Sequence, residues 1–236
     1  MRRSFAAATA ILGLAAASAL ATATITKRQA RAIVAAIELR HSDLPGTSVQ
    51  ADPVTAQEQQ ENTQLARCMG SVLPSAALAF AQSPSFNSSV GGGQTSVNSA
   101  TDVLPSVALV AKDFAADAQP RALSCLTRNV VDALEPGLPT GERILSSATV
   151  RIAAKIRGFS DVQATRTTIT VSPPGGGAPT VAAASSTSLH LDLIAFADGQ
   201  VEIELQVVST PGLPSSSLEQ RLDGILGARA RTVLGK

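Results

Sequence analysis

Apolar residues recur along this chain in two periods. From residue 26 to residue 134 they fall mostly three or four apart, the spacing of a helix face; from 150 to 208 they alternate with polar residues, as in a strand. In the first half, Thr26 caps a helix to about Leu39 with Ile33, Val34, Ile37 and Leu39 on its apolar side. Thr55-Ala56-Gln57-Glu58 is a capping box that opens a second helix, ended by Gly70, with Leu65, Cys68 and Met69 on one face. Residues 77–90 read as extended or irregular chain, and Gln94 to Leu104 as a strand. Pro105 starts a helix to about Ala118 that buries Val107, Val110, Ala111 and Phe114. Pro120 separates it from a helix to Leu134 that contains Cys125.

In the second half, Val150, Ile152, Ala154 and Ile156 alternate with Arg151, Ala153, Lys155 and Arg157, which predicts a strand. A Thr-rich strand at 162–171 follows, then a Pro/Gly connector at 173–179, then a hairpin at 186–208. A two-residue Asp198-Gly199 loop would set Leu193 opposite Glu204 and mix the faces, which a half-buried sheet does not tolerate. A three-residue loop, Ala197 to Gly199, instead sets Leu189, Leu191, Leu193 and Ala195 against Val201, Ile203, Leu205 and Val207. His190 and Asp192 then share a solvated face with Glu202, Glu204 and Gln206; Arg151, Lys155, Arg157 and Arg166 could form a basic patch for an acidic partner but read better as neutralised by these acidic cross-strand neighbours. Ser216-Ser217-Leu218-Glu219 reads as a capping box opening the last helix, with Leu218, Leu222, Ile225, Leu226 and Val233 inward. Leu-Pro-Ser recurs at 73, 104 and 213 as repeated helix-start chemistry. The expected fold is one α+β domain: an antiparallel sheet of about five to six strands with helices mainly on one face.

Composition places this pattern outside the cytoplasm. Met1-Arg2-Arg3, the apolar run Phe5 to Leu20 and the small-x-small triplets at 19–21 and 21–23 form a secretion signal over 1–23, leaving 24–236 as the domain. The alternative is an uncleaved anchor, which would be the chain's one attachment to a membrane. In an oxidising compartment the only two cysteines, Cys68 and Cys125, are expected to pair; the alternative is two free buried thiols. So long a closed loop implies roughly 4 kcal/mol of stabilisation. Without Arg2 and Arg3 the chain has 17 basic and 18 acidic residues, net −1, which offers no field for nucleic acid. Trp and Tyr are absent, so sites that stack sugars, bases or quaternary amines on aromatic rings lose weight.

The candidate chemistry is sparse. His41-Ser42-Asp43 resembles a catalytic triad only in composition, because adjacent residues do not converge as a triad does; it reads as a polar turn. His190 and Asp192 share a strand face with Glu204 nearby, a weak metal set that reads better as a solvated cross-strand cluster. The Gly-rich loops at 91–93 and 173–179 lack the strand-loop-helix setting and the Lys of a phosphate cradle. No Gly-x-Ser-x-Gly elbow is present. No catalytic residue, cofactor or metal is expected.

Several stretches together carry a resemblance: a secretion signal, Asp43-Leu44-Pro45-Gly46, a first cysteine at the end of a helix, Ser83-Pro84-Ser85-Phe86, and Pro120-Arg121-Ala122-Leu123-Ser124-Cys125-Leu126. The chain is similar to secreted actinobacterial proteins of unknown function. Through them it resembles the extracellular sensor domain of the mycobacterial kinase PknH and LpqN-type lipoproteins, which share a PsbP-like fold. The resemblance implies an antiparallel sheet, flanking helices, a helix-linking disulfide and a ligand cleft. The chain departs from both groups in having no kinase, no lipid-attachment cysteine and a single possible disulfide, so no functional residue transfers. The expectation is a non-enzymatic exported domain that binds a small apolar or amphipathic ligand or a cell-envelope component; the alternative is a structural or protein-interaction module of the envelope.

Overall fold

The computed structural model describes residues 25–51, 53–90, 92–173 and 186–236; the stretch expected to be a secretion signal and most of the Pro/Gly connector lie outside them. Local chemistry sets most helix ends. The hydroxyl of Thr26 accepts from the backbone N–H of Gln29, and the Gln29 side chain accepts from Thr26 N–H, which starts α1 (Lys27–Ile37). Thr55 and Glu58 do the same for α2 (Ala56–Met69), which ends at a left-handed Gly70. Ser106 caps α3 (Val107–Asp117), Pro120 is the first residue of α4 (Pro120–Leu134), and Ser215 caps α5 (Ser216–Leu234). The Leu-Pro-Ser repeats therefore do start helices, at 104 and 213, but the serine rather than the proline is the cap at Leu104-Pro105-Ser106.

The described residues form one antiparallel sheet of eight strands, more than the five to six expected. β1 (Ser48–Gln50) lies in a stretch to which the sequence pattern assigns no element, and β2 (Ala79–Gln82) and β3 (Ser85–Val90) in the stretch that reads as extended or irregular chain. The others are β4 (Gly93–Val103), β5 (Ile144–Arg151), β6 (Asp161–Val171), β7 (Thr187–Asp198) and β8 (Val201–Thr210). Their order is β1-β3-β4-β8-β7-β6-β5, and β2 pairs beside β3 along the same edge of β4. The alternation at 150–157 is not a strand beyond Arg151: residues 152–160 form an irregular connector to β6.

Helices cover both faces, not mainly one. On the first face, Val97, Val103, Ile194, Phe196, Val201, Ile203, Leu205 and Val207 pack with Ala30, Val34 and Ile37 of α1 and Leu222, Leu226 and Ala230 of α5. On the second face Leu193 packs with Met69 of α2 and Ala122, Cys125 and Leu126 of α4, and Ala197 packs with Val110 of α3. This two-sided cover overturns the expected hairpin register. The loop is the two-residue Gly199-Gln200, with Asp198 paired to Val201 and Leu193 to Gln206. Gly199 has φ +63° and Gln200 does not have positive φ, the pattern of a type II′ turn, where only glycine is at ease in the first position. Mixed faces are penalised only when one face is wet. Here Ile194 and Phe196 point to one helical layer and Leu193 and Ala197 to the other.

Candidate functional site

On the second face the helical cover is split. One patch is α2 with α4, joined by the Cys68–Cys125 disulfide, whose Cα atoms are 5.9 Å apart. A chain of hydroxyls fixes α4 to the sheet: Thr127 Oγ1 donates to Thr149 Oγ1 at 2.7 Å, and Thr149 meets Thr167 at 2.8 Å. The other patch is α3, held by Gln163 Nε2 donating to the Phe114 carbonyl at 2.6 Å and by Arg151 donating to the Asp117 carbonyl. Leu193 lies under the first patch and Ala197 under the second. Ala195, between them on the same face, pairs with Glu204, which in turn pairs with Ala100. Ala195 and Ala100 flank Glu204, whose side chain is exposed in the opening between the two patches.

That opening is an acidic cleft. Glu202 and Glu204 sit two apart on β8 and so share a face, and Asp102 of β4 stands opposite Glu202. Asp113 and Asp117, one helical turn apart on α3, supply the wall. The backbone N–H of Val72, just beyond α2, donates to Asp113 Oδ1 at 2.5 Å and closes one end. One oxygen each of Glu202 and Asp117 is buried without a hydrogen-bond partner.

The crowding raises every one of these acids. Burial, followed by the charges of Asp113, Asp102, Asp117 and Glu204, pushes Glu202 up to about 9. Burial and Asp113 take Asp102 to about 7. Burial, Asp113 and Glu204 take Asp117 to about 7, against Arg151. Burial raises Asp113 too, opposed by the Val72 N–H, Lys112 and a hydrogen bond with Glu202. Glu204 rises to about 7 through its enclosure, then Asp102 and Asp113. Its side chain is nevertheless solvent-exposed at the cleft floor, so less of its shift converts into stability than for Glu202. Near neutral pH the cleft holds both protons and negative charge, and a bound cation would displace those protons.

The residues singled out in the sequence are not brought together here. His41-Ser42-Asp43 is a short 3-10 turn, and Asp43 is gripped by Arg229 with contacts of 2.8 Å. His190 and Asp192 lie on the first face, opposite to Glu204, so that metal set does not exist. No group of three or more His, Cys, Asp or Glu among the described residues has metal-site geometry. Lys155 and Arg157 lie in the connector and do not neutralise Glu202 or Glu204. The acid cleft was missed in the sequence, although it leaves a trace there. Asp113 and Asp117 repel at i, i+4 on a helix, and the apolar residues of 193–197 occur at both parities, the mark of a strand covered on both faces.

Depressions lie elsewhere among the described residues. One of about 390 Å³ lies on the outer flank of α3, between Val107, Phe114 and Val162, with Asp161 its only charged lining residue. Val107, expected inside, is exposed there. A second of about 320 Å³ lies on the first face beside the start of α5.

The fold is thus an α+β domain with an antiparallel sheet between two helical layers. It is similar to the extracellular domain of PknH from Mycobacterium tuberculosis, with a TM-score of 0.39 and 12% identity over 90% of this chain and 98% of that one. At that TM-score the likeness assigns nothing to this chain. Neither a protein-family profile nor a curated protein sequence matches it, and nothing supports the LpqN-type or PsbP-like part of the resemblance. The disulfide fits an extracytoplasmic location. Among the described residues no helix is long and apolar enough to cross a membrane.

Proposed function

We propose that the chain is an exported, non-enzymatic binding domain whose ligand joins a cationic group to an apolar part. The ligand is a small amphipathic molecule or a segment of a cell-envelope component. The observation that carries this reading is the cleft floored by Glu202, Glu204 and Asp102 and walled by Asp113 and Asp117. Apolar side chains shoulder it: Met69 and Leu193 on one side, Val72 and Leu109 on the other. The disulfide suits such a role because it makes α2 and α4 one rigid wall. The acidic sign of the cleft speaks against a nucleic-acid partner.

Calorimetric titration of the mature protein with dodecylammonium, below its micelle concentration, tests the reading. Binding is expected at pH 8.5, with release of protons and weaker affinity at pH 5.5, where the acids are protonated. Dodecanoate is expected not to bind, and the Glu202→Gln/Glu204→Gln pair to bind the ammonium at least about tenfold more weakly, one lost charge interaction being worth about 1.4 kcal/mol. Equal binding of dodecanoate, or unchanged binding by the double variant, would overturn it.

A second reading, a protein-interaction module, is favoured by β5. This end strand pairs only with β6 among the described residues, is uncharged from Ile144 to Val150, and exposes Leu145 (50%) and Val150 (52%). Sedimentation of wild type beside Val150→Lys tests it: a concentration-dependent oligomer lost in the variant supports this reading, and a monomer throughout removes self-association through β5.

A further inference from the structure

The first face holds a polar cluster that the cleft does not use. Asp192 of β7 is fully buried, with 0% of its surface exposed, among the apolar residues under α5. Arg166, opposite it on β6, donates from Nε at 2.7 Å and from a terminal nitrogen at 2.5 Å, one bond to each carboxylate oxygen. Above them α5 lowers Glu219, 7% exposed, and one turn further Asp223, 5% exposed. Glu219 is near enough to Asp192 for the two carboxyls to interact, and that interaction, after burial, raises Glu219. Two buried carboxyl groups that meet in this way attract only if one of them carries a proton. Glu219 Oε1 and Asp223 Oδ1 are buried without any partner.

Among the described residues the surroundings supply no second cation. α1 presents Ala30, Val34 and Ile37, and β8 presents Val201, Ile203, Leu205 and Val207. His190, two residues along β7 from Asp192, is bonded through Nδ1 to Thr168. Arg229 is committed to Asp43, and Arg221 to the Asp43 carbonyl. Lys155 and Arg157 in the connector are exposed. Three buried carboxyls therefore face one guanidinium, and full ionisation would leave two uncompensated charges beneath the helix.

We propose that Arg166, Asp192 and Glu219 form a proton-operated latch: with the proton in place the N-terminal half of α5 is seated on the sheet, and its loss lifts that half. Leu218 and Arg221, in the same turns of α5, line the 320 Å³ depression whose other wall includes Leu44, Phe86 and Val97. Releasing the latch widens this depression, so alkaline pH exposes apolar surface on the face away from the acidic cleft. Burial and the interaction with Asp192 hold Glu219 up to about 8, and burial holds Asp223 at about 7, which places the release between neutral and pH 8.5.

Hydrogen exchange by mass spectrometry at pH 6.0 and 8.5, corrected for intrinsic rates, tests the latch. Peptides over 216–224 are read separately from those of α3 and β8, which report the acidic cleft. In wild type, protection over 216–224 is expected to fall at least about tenfold at the higher pH. Glu219→Gln, which stays neutral beside Asp192 without a titrating proton, is expected to hold its protection at both values. Asp223→Asn, which leaves the proton of the Glu219–Asp192 pair in place, is expected to retain most of the wild-type change. Protection of 216–224 that does not depend on pH in wild type, or depends on it equally in Glu219→Gln, would overturn the proposal.

Discussion

Asp102 stands directly opposite Glu202 across the β4–β8 pair, so two carboxylates face each other where like charges ordinarily destabilise a sheet. The carboxyls that surround them are raised as well, and the sign of the effect on stability follows. A carboxyl whose folded pKa lies above its unfolded value favours folding most below the unfolded pKa, and that advantage is lost as pH rises through the folded value. For Glu202 the window runs from about 4.5 to about 9, and for Asp102 from about 3.8 to about 7. Urea unfolding followed by circular dichroism is expected to show a protein more stable at pH 5 than at pH 8.5, by on the order of 3 kcal/mol. Glu202→Gln is expected to flatten this profile and to stabilise the protein at pH 8.5 by about 1–2 kcal/mol, while weakening cation binding.

Removing the covalent tie between α2 and α4 is expected to be costly. The Cys68–Cys125 bond spans 57 residues. The Cys68→Ala/Cys125→Ala variant is expected to lose about 4 kcal/mol on the loop-entropy account, seen as a lower urea midpoint. Exchange should rise first in α2, whose buried residues, Ala66 and Met69, lie in its last turn.

Arg166 is expected to matter more for what it leaves behind than for its bond. Arg166→Met strands Asp192 inside the protein and should cost about 3–5 kcal/mol at pH 7. The double variant Arg166→Met/Asp192→Leu should recover much of that loss, because no buried charge remains. Chemical denaturation of both variants gives the comparison.

Gly227, in the middle of α5, is a site where the usual gain from alanine should reverse. A Cβ there would come 2.9 Å from Cε2 of Phe159, whose ring packs edge-on against Phe196 at 4.8 Å between centroids. Alanine normally favours a helix by about 1 kcal/mol over glycine. Here displacement of the packed ring should outweigh that, and Gly227→Ala is expected to lower the melting temperature, with a net cost of about 1–2 kcal/mol.

What the sequence determined by itself is local. Thr26 and Thr55 with their partners three residues on, Gly70 and Pro120 all mark helix ends, because the bonds that decide those ends reach only a few residues along the chain. The pairing of Cys68 with Cys125 was legible from their number and the expectation of an oxidising compartment. At Ser216 the same local logic failed. Glu219 does not fold back to complete a capping box; it turns inward to Asp192, a partner 27 residues away.

Which side of each strand is inside could be decided only by the tertiary structure. Leu193 and Ile194 are both apolar, so β7 satisfies either parity, and the hairpin settled into a register that serves two helical layers at once. With the second layer in place, Glu202 and Glu204 changed from a solvated edge into a cleft floor. Asp192 changed from a surface acid into the buried partner of Arg166. The cleft depends on contacts between residues about a hundred positions apart, Asp102 with Glu202 and Asp113 with Glu202, and no periodicity along the chain encodes them.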